Sequence, residues 1–134
     1  MDTMKVRDYM SRDVLTLRPD MEILRALAIF VDNDLAGAPV TDRSGRLVGI
    51  LSEGDFMKVA LHGAYHGEPA GRVDEYMHRN VEIARPGDGI MTLAERFLES
   101  PYRRYPVVDR SGRLVGIIAW RDVLRALKNR MGQY

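Results

Sequence analysis

No cysteine occurs in the 134 residues, which excludes a disulfide scaffold, thiolate metal sites and a cysteine nucleophile. A cytoplasmic location fits that composition. Long apolar runs are also missing. The longest, residues 26–31, falls far short of the roughly 20 residues that a helix needs to cross a bilayer. The opening Met1-Asp2-Thr3-Met4-Lys5 holds no apolar core of a signal peptide. Charge of one sign is scarce as well: 20 Lys+Arg against 19 Asp+Glu leave a net +1. So small a charge gives no electrostatic reason for a nucleic-acid or membrane partner. The balance is uneven along the chain, with the basic excess in the second half, so an anion site is sought there first.

What is present is a repeat. Pro39-Val40-Thr41-Asp42-Arg43-Ser44-Gly45-Arg46-Leu47-Val48-Gly49-Ile50 returns as Pro106-Val107-Val108-Asp109-Arg110-Ser111-Gly112-Arg113-Leu114-Val115-Gly116-Ile117, with 11 of 12 positions identical. The offset of 67 residues holds without a gap for Val6 and Val73, Met10 and Met77, Pro19 and Pro86, Phe30 and Phe97, and Asp55 and Asp122. Two copies therefore fill the chain, 1–67 and 68–134. Each reads as an extended segment (14–17; 81–84), a helix with an apolar stripe (21–31; 90–99), two β-branched strands (38–41 and 46–51; 105–108 and 113–118) and a second helix (53–61; 120–128). Asp42-Arg43-Ser44-Gly45 between the strands predicts a tight turn. Strand-helix-strand order predicts a right-handed crossover with parallel pairing. Residues 62–72, with Gly63, Gly67, Pro69 and Gly71, read as the linker.

The doubling, the order of elements and the Pro-Val-x-Asp … Gly-Ile hairpin resemble the CBS (cystathionine beta-synthase) domain pair, or Bateman module, over nearly the whole chain. The resemblance implies an α/β (α+β) fold of two pseudo-symmetric β-α-β-β-α units packed sheet to sheet. It implies a regulatory module without catalysis or an obligatory cofactor. The expected ligand is an adenosyl compound in the cleft between the units: AMP, ADP or ATP first, with S-adenosylmethionine, NAD or a cyclic dinucleotide as further members of the class. It also implies homodimers and an output acting in trans on an effector protein. The alternative is a dimerisation or interaction module with empty nucleotide sites.

The family's ligand signature is Gly, apolar, any, Thr or Ser, any, any, Asp. The first copy matches it as Gly49-Ile50-Leu51-Ser52-Glu53-Gly54-Asp55. A carboxylate can accept hydrogen bonds from both hydroxyls of a ribose, and a hydroxyl at a helix N-terminus sits where anions are favoured. The resemblance thus assigns Asp55 to the ribose and Ser52 to sugar or phosphate. The same residues also form a capping box, a structural helix start. The second copy, Gly116-Ile117-Ile118-Ala119-Trp120-Arg121-Asp122, keeps the acid but has Ala119 in place of the hydroxyl residue. By the same resemblance Arg103 and Arg104, ahead of Pro106, would contact phosphate; the first copy has Ala36 and Gly37 ahead of Pro39. Ala38 and Tyr105, before those prolines, and Thr16 and Ile83 on the extended segments would face adenine. For Tyr105 the alternative is plain packing.

Other constellations lead nowhere. His62 and His66 are spaced i, i+4, but Gly63 and Gly67 argue against a helix there, and no third ligand has suitable spacing. His78 follows Met77 where the first copy has Ser11, and marks no site. Ser44 and Ser111 lie in turns, and Gly87-Asp88-Gly89 lacks the Gly-Lys-Ser/Thr ending of a phosphate loop.

Overall fold

The hairpins are built by their own aspartates. Asp42 Oδ1 accepts from Ser44 N–H (2.9 Å), Ser44 Oγ (2.7 Å) and Arg46 N–H (3.0 Å). Asp109 repeats the pattern with Ser111 and Arg113 at the same distances. These bonds, the serine hydroxyl's foremost, hold both carboxyls below the usual carboxylate value. Gly45 and Gly112 close the turns at φ 86° and 90°, conformations that favour glycine.

The computed structural model describes residues 3–68 and 70–132. Pro69, expected in the linker, and Met1 and Asp2, read for a signal peptide, lie outside the described residues. A 3-10 turn at Val6–Asp8 precedes α1 (Ile23–Asp32), β1 (Gly37–Thr41), β2 (Leu47–Ser52), α2 (Glu53–His66), α3 (Val73–Tyr76), α4 (Ile90–Glu99), β3 (Arg104–Val108), β4 (Leu114–Ala119) and α5 (Trp120–Met131). Two small antiparallel sheets result, β1 with β2 and β3 with β4, each with one irregularity beside the turn. The expected parallel pairing exists as a single bridge in each copy, Leu17 to Val40 and Ala84 to Val107, not as a full strand. Arg18-Pro19 and Arg85-Pro86 follow immediately, and proline offers no N–H to extend a ladder. One expectation is corrected: the second helix runs on through His66, so 62–66 belong to α2 and not to the linker. Its interior Gly63 lowers helix propensity by only about 1 kcal/mol.

Space divides the chain differently from sequence. One compact unit is Leu15–Val81; the other joins the described residues of 1–14 to those of 82–132. The two repeats trade their lead-ins, and the trade serves helix starts that cannot cap themselves. Glu22, ahead of α1, makes no side-chain cap bond, and Gly89, ahead of α4, has no side chain to make one. Orphan N–H groups there need acceptors. Ile23 N–H donates to Gly71 O (3.0 Å), and Ile90 N–H donates to Met4 O (3.0 Å). The traded segments go on to bridge the sheet edges. His78 and Ile50 exchange backbone bonds of 3.0 and 2.9 Å, and Ser11 and Ile117 exchange bonds of 2.8 and 2.9 Å.

The two cores use equivalent positions. Ile23, Phe30, Val40, Leu51 and Val73 are buried in one; Ile90, Phe97, Val107, Ile118 and Val6 are buried in the other. They differ in what covers the phenylalanine. Phe30 packs on Phe56 of α2, with centroids 4.4 Å apart. The equivalent of Phe56 is Val123, and Phe97 instead stacks on Tyr105 of β3 at 4.8 Å.

Each traded lead-in also presses a methionine onto a strand glycine. A Cβ on Gly49 would stand 2.5 Å from Met77 Sδ and 3.0 Å from His78 O; on Gly116 it would stand 2.7 Å from both Met10 Sδ and Ser11 O. Gly49→Ala and Gly116→Ala should each destabilise by about 1–3 kcal/mol, the range for overpacking. Urea unfolding should find Gly116→Ala the worse of the two. Adding Met10→Ala should not rescue it, because the backbone clash stays.

Candidate functional site

The first turn of α2 carries a polar cluster built on Ser52 and Asp55. Ser52 is its N-cap, and its Oγ accepts from Asp55 N–H (3.2 Å). In return Asp55 Oδ2 accepts from Ser52 N–H (2.7 Å) and Ser52 Oγ (2.9 Å). The capping box expected as one reading of these residues is therefore present. Asp55 Oδ1 faces His78 Nε2 at 2.8 Å. An ionised carboxylate only accepts, so Nε2 is the donor. Burial raises the Asp55 pKa, but the bonds from Ser52 and His78 outweigh it, and the carboxyl is held below its ordinary 3.8.

The other predicted residues of this unit lie along the same edge. Gly37 stands opposite Ser52 and Ala38 opposite Leu51. Leu17 N–H donates to Pro39 O (2.9 Å), which brings Thr16, half-buried, beside the start of β1. Ala38 and Pro39 are buried, whereas Ser52 is exposed.

The second unit repeats the layout with different chemistry at the first turn of α5. Asp122 Oδ2 accepts from Ala119 N–H (2.8 Å), and its Oδ1 lies 3.3 Å from Arg125. Asp122 thus has a structural role without a capping hydroxyl. Its persistence beside Ala119 does not by itself signal a ligand. Arg104 opens β3 directly opposite Ala119, and the exposed Arg103 lies with its guanidinium 6.0 Å from the Trp120 ring. Both arginines are brought to the start of α5. Pro106 is buried and accepts from Ala84 N–H (2.9 Å).

Tyr105 follows the packing alternative. It is 1% exposed, stacked on Phe97, with its hydroxyl 2.8 Å from Ser100 Oγ and the Arg96 guanidinium 4.1 Å over its ring. In this structure the faces of this ring are covered inside one unit. Arg96 also donates to Ile83 O (2.7 Å) and pairs with Glu82 at 3.0 Å, which fixes the half-buried Ile83.

Two residues escaped the sequence reading. Arg96 replaces Ile29 of the first copy, and that break in the repeat was its only signal. His78 was dismissed for replacing a serine, yet the traded lead-in sets it against Asp55. His62 and His66 do lie on α2, with ring centroids 4.7 Å apart. Among the described residues no group of three or more His, Asp or Glu side chains is placed to hold a metal. Among them, too, no helix is long and apolar enough to cross a membrane.

The sequence pattern of the CBS domain matches this chain twice, over residues 6–62 and 73–129. The chain belongs to the CBS domain family. This CBS pair is 32% identical over 122 residues to the uncharacterized protein MJ1225 of Methanocaldococcus jannaschii, covering 91% of this chain and 42% of that protein. It is 27% identical over 124 residues to inosine-5'-monophosphate dehydrogenase of the same organism, covering 92% of this chain and 24% of the enzyme. The chain thus spans less than half of the one and about a quarter of the other. Among solved structures, CBSX2 of Arabidopsis thaliana in complex with AMP superposes with a TM-score of 0.81 at 27% identity, over 96% of this chain and 98% of that one. The CBS domain pair of protein MJ0100 with 5'-methylthioadenosine and S-adenosyl-L-methionine gives 0.77 at 26% identity, over 95% and 98%. The cytosolic domain of the Mg2+ channel MgtE with ATP gives 0.77 at 28% identity, over 91% and 48%. The mixed α/β fold with small antiparallel sheets is that of CBS pairs.

The depressed Asp55 pKa has a stability consequence. A carboxyl whose folded pKa lies below its unfolded value stabilises the fold above about 3.8, and that contribution is lost as pH falls through the folded pKa. Asp55→Asn should cost about 1 kcal/mol at neutral pH, on the scale of a lost cap. Urea unfolding of both proteins between about pH 7 and pH 2.5 should show the gap closing below the ordinary carboxylate value. A constant gap would mean that the charge of Asp55 does not stabilise the fold.

Proposed function

We propose that this CBS pair is a regulatory module that binds an adenosyl ligand and biases an effector protein in trans. AMP, ADP and ATP are the first candidates. The observation that carries the proposal is the start of α2, where an exposed hydroxyl and an ionised carboxylate share one helix N-terminus. CBSX2, the CBS domain pair of MJ0100 and the cytosolic domain of MgtE were solved with AMP, with S-adenosyl-L-methionine and 5'-methylthioadenosine, and with ATP, which supports the ligand class. On this reading Asp55 accepts from the ribose hydroxyls, Ser52 adds a bond to sugar or phosphate, and Thr16, Ala38 and Pro39 line the base. Arg103 and Arg104 neutralise phosphate at the start of α5, where helix N–H groups favour anions. A ligand then regulates through its differential affinity for two states of the module.

One observation favours an interaction module with an empty second site: both oxygens of Asp122 are engaged within its own helix. Thermal unfolding and calorimetry against AMP, ADP, ATP and S-adenosylmethionine, with GTP as control, separate the two readings. A ligand at about 100 times its Kd adds roughly 2.7 kcal/mol to stability. Asp55→Ala should weaken binding by about 1.5–3 kcal/mol, the range for a hydrogen bond to a charged group. Arg103→Ala and Arg104→Ala should weaken ATP and AMP while leaving adenosine unchanged. Unaltered affinity in Asp55→Ala would sink the ribose assignment. No shift with any adenosyl compound would leave the interaction module.

A further inference from the structure

The ribose reading leaves one acceptor contested. Asp55 Oδ2 is taken twice by Ser52, and Oδ1, the freer oxygen, is held by His78 at 2.8 Å. The partners differ sharply in exposure, with the His78 side chain 63% exposed and that of Asp55 11%. His78 is fixed through its backbone, which pairs with Ile50 of β2, and not through its ring. The imidazole can therefore leave Asp55 without disturbing the fold. We propose that His78 competes with the ligand's ribose for Asp55 Oδ1, so that adenosyl affinity falls as pH falls. The inference rests on the ribose role proposed above for Asp55.

The sign follows from linkage. The His78 ring bonds Asp55 of α2, and the His78 main chain bonds the Ile50 backbone of β2. The adjacent Arg79 turns away to Asp74 O at 3.2 Å, and Asp74 is paired with Arg72. Histidine changes charge between about pH 5 and pH 8. Neutral, the ring donates a hydrogen bond to the Asp55 carboxylate; protonated, it adds an ion pair to that bond. Asp55 stays ionised throughout, because its carboxyl is held below the ordinary value. A ribose that displaces the ring from Oδ1 gives up the stronger interaction at low pH, so protons and ligand oppose each other. The second unit has Ser11 at the equivalent position, so the competition is confined to the first.

Calorimetry with adenosine tests this, because adenosine brings no phosphate that titrates in the same range. The full chain should bind adenosine about two- to fivefold more weakly near pH 5.5 than near pH 8, the span an exposed ion pair supports. His78→Gln, which keeps a donor and loses the charge, should flatten the profile. His78→Ser, the residue of the first copy, should flatten it too and bind at least as tightly. A flat profile in the unsubstituted protein, or an unchanged slope in both variants, overturns the inference while an Asp55-dependent affinity leaves the ribose reading standing. If neither adenosine nor AMP binds near pH 8, the ribose reading fails and this inference fails with it.

Discussion

A sulfur atom pressed against a bare backbone sets the form of this molecule. Met77 lies over Gly49 and Met10 over Gly116, each within the distance that a side chain on the glycine would need. Each methionine comes from the lead-in of the other repeat. That approach lets the following residue pair with the sheet edge, and it lets the segment before it supply a carbonyl to an uncapped helix. Interiors packed at crystal density transmit a misfit of one methyl group. The glycine of the family signature thus has a packing duty at least as clear as any ligand duty.

The same trade decides what each helix start can do. In Leu15–Val81 it delivers a histidine to Asp55; in the other unit the equivalent residue is Ser11, and Asp122 turns to Arg125. Arg96, Arg103 and Arg104 stand where the first copy has Ile29, Ala36 and Gly37, and Arg96 is spent on Tyr105 and Ile83. Two copies of one backbone have become chemically unequal at their second helix starts. Duplication supplies the geometry, and a few substitutions at helix starts change its chemistry.

Much of this was legible in the sequence because it is local. The Asp-Arg-Ser-Gly turns, the strand pairs and the apolar stripes of α1 and α4 depend on residues within a few positions of one another. The family, too, follows from spacings that an offset of 67 exposes. What escaped is non-local. His78 meets Asp55 across 23 positions, and nothing in the run Met77-His78-Arg79 announces it. For Tyr105 the resemblance implies a place facing adenine, with plain packing as the alternative. Its burial follows from Val123, which leaves Phe97 short of the ring that Phe56 gives Phe30. The length of α2 was misjudged because Gly63 and Gly67 were weighed alike, although Gly63 lies within the helix and only Gly67 ends it.

The traded lead-ins bear on ancestry. A lone repeat of 67 residues would have no borrowed segment to satisfy its first helix or to cover its strand glycine. It would expose a sheet edge while its own lead-in sought a partner. A single-copy ancestor built this way could satisfy those groups by lending that segment to a second molecule and borrowing the same in return, as a swapped homodimer. Fusion of two such genes would turn an encounter between molecules into one within a chain, at a far higher effective concentration. Each copy would then be free to change residues on one side alone, a freedom that an obligate pair of identical chains never has.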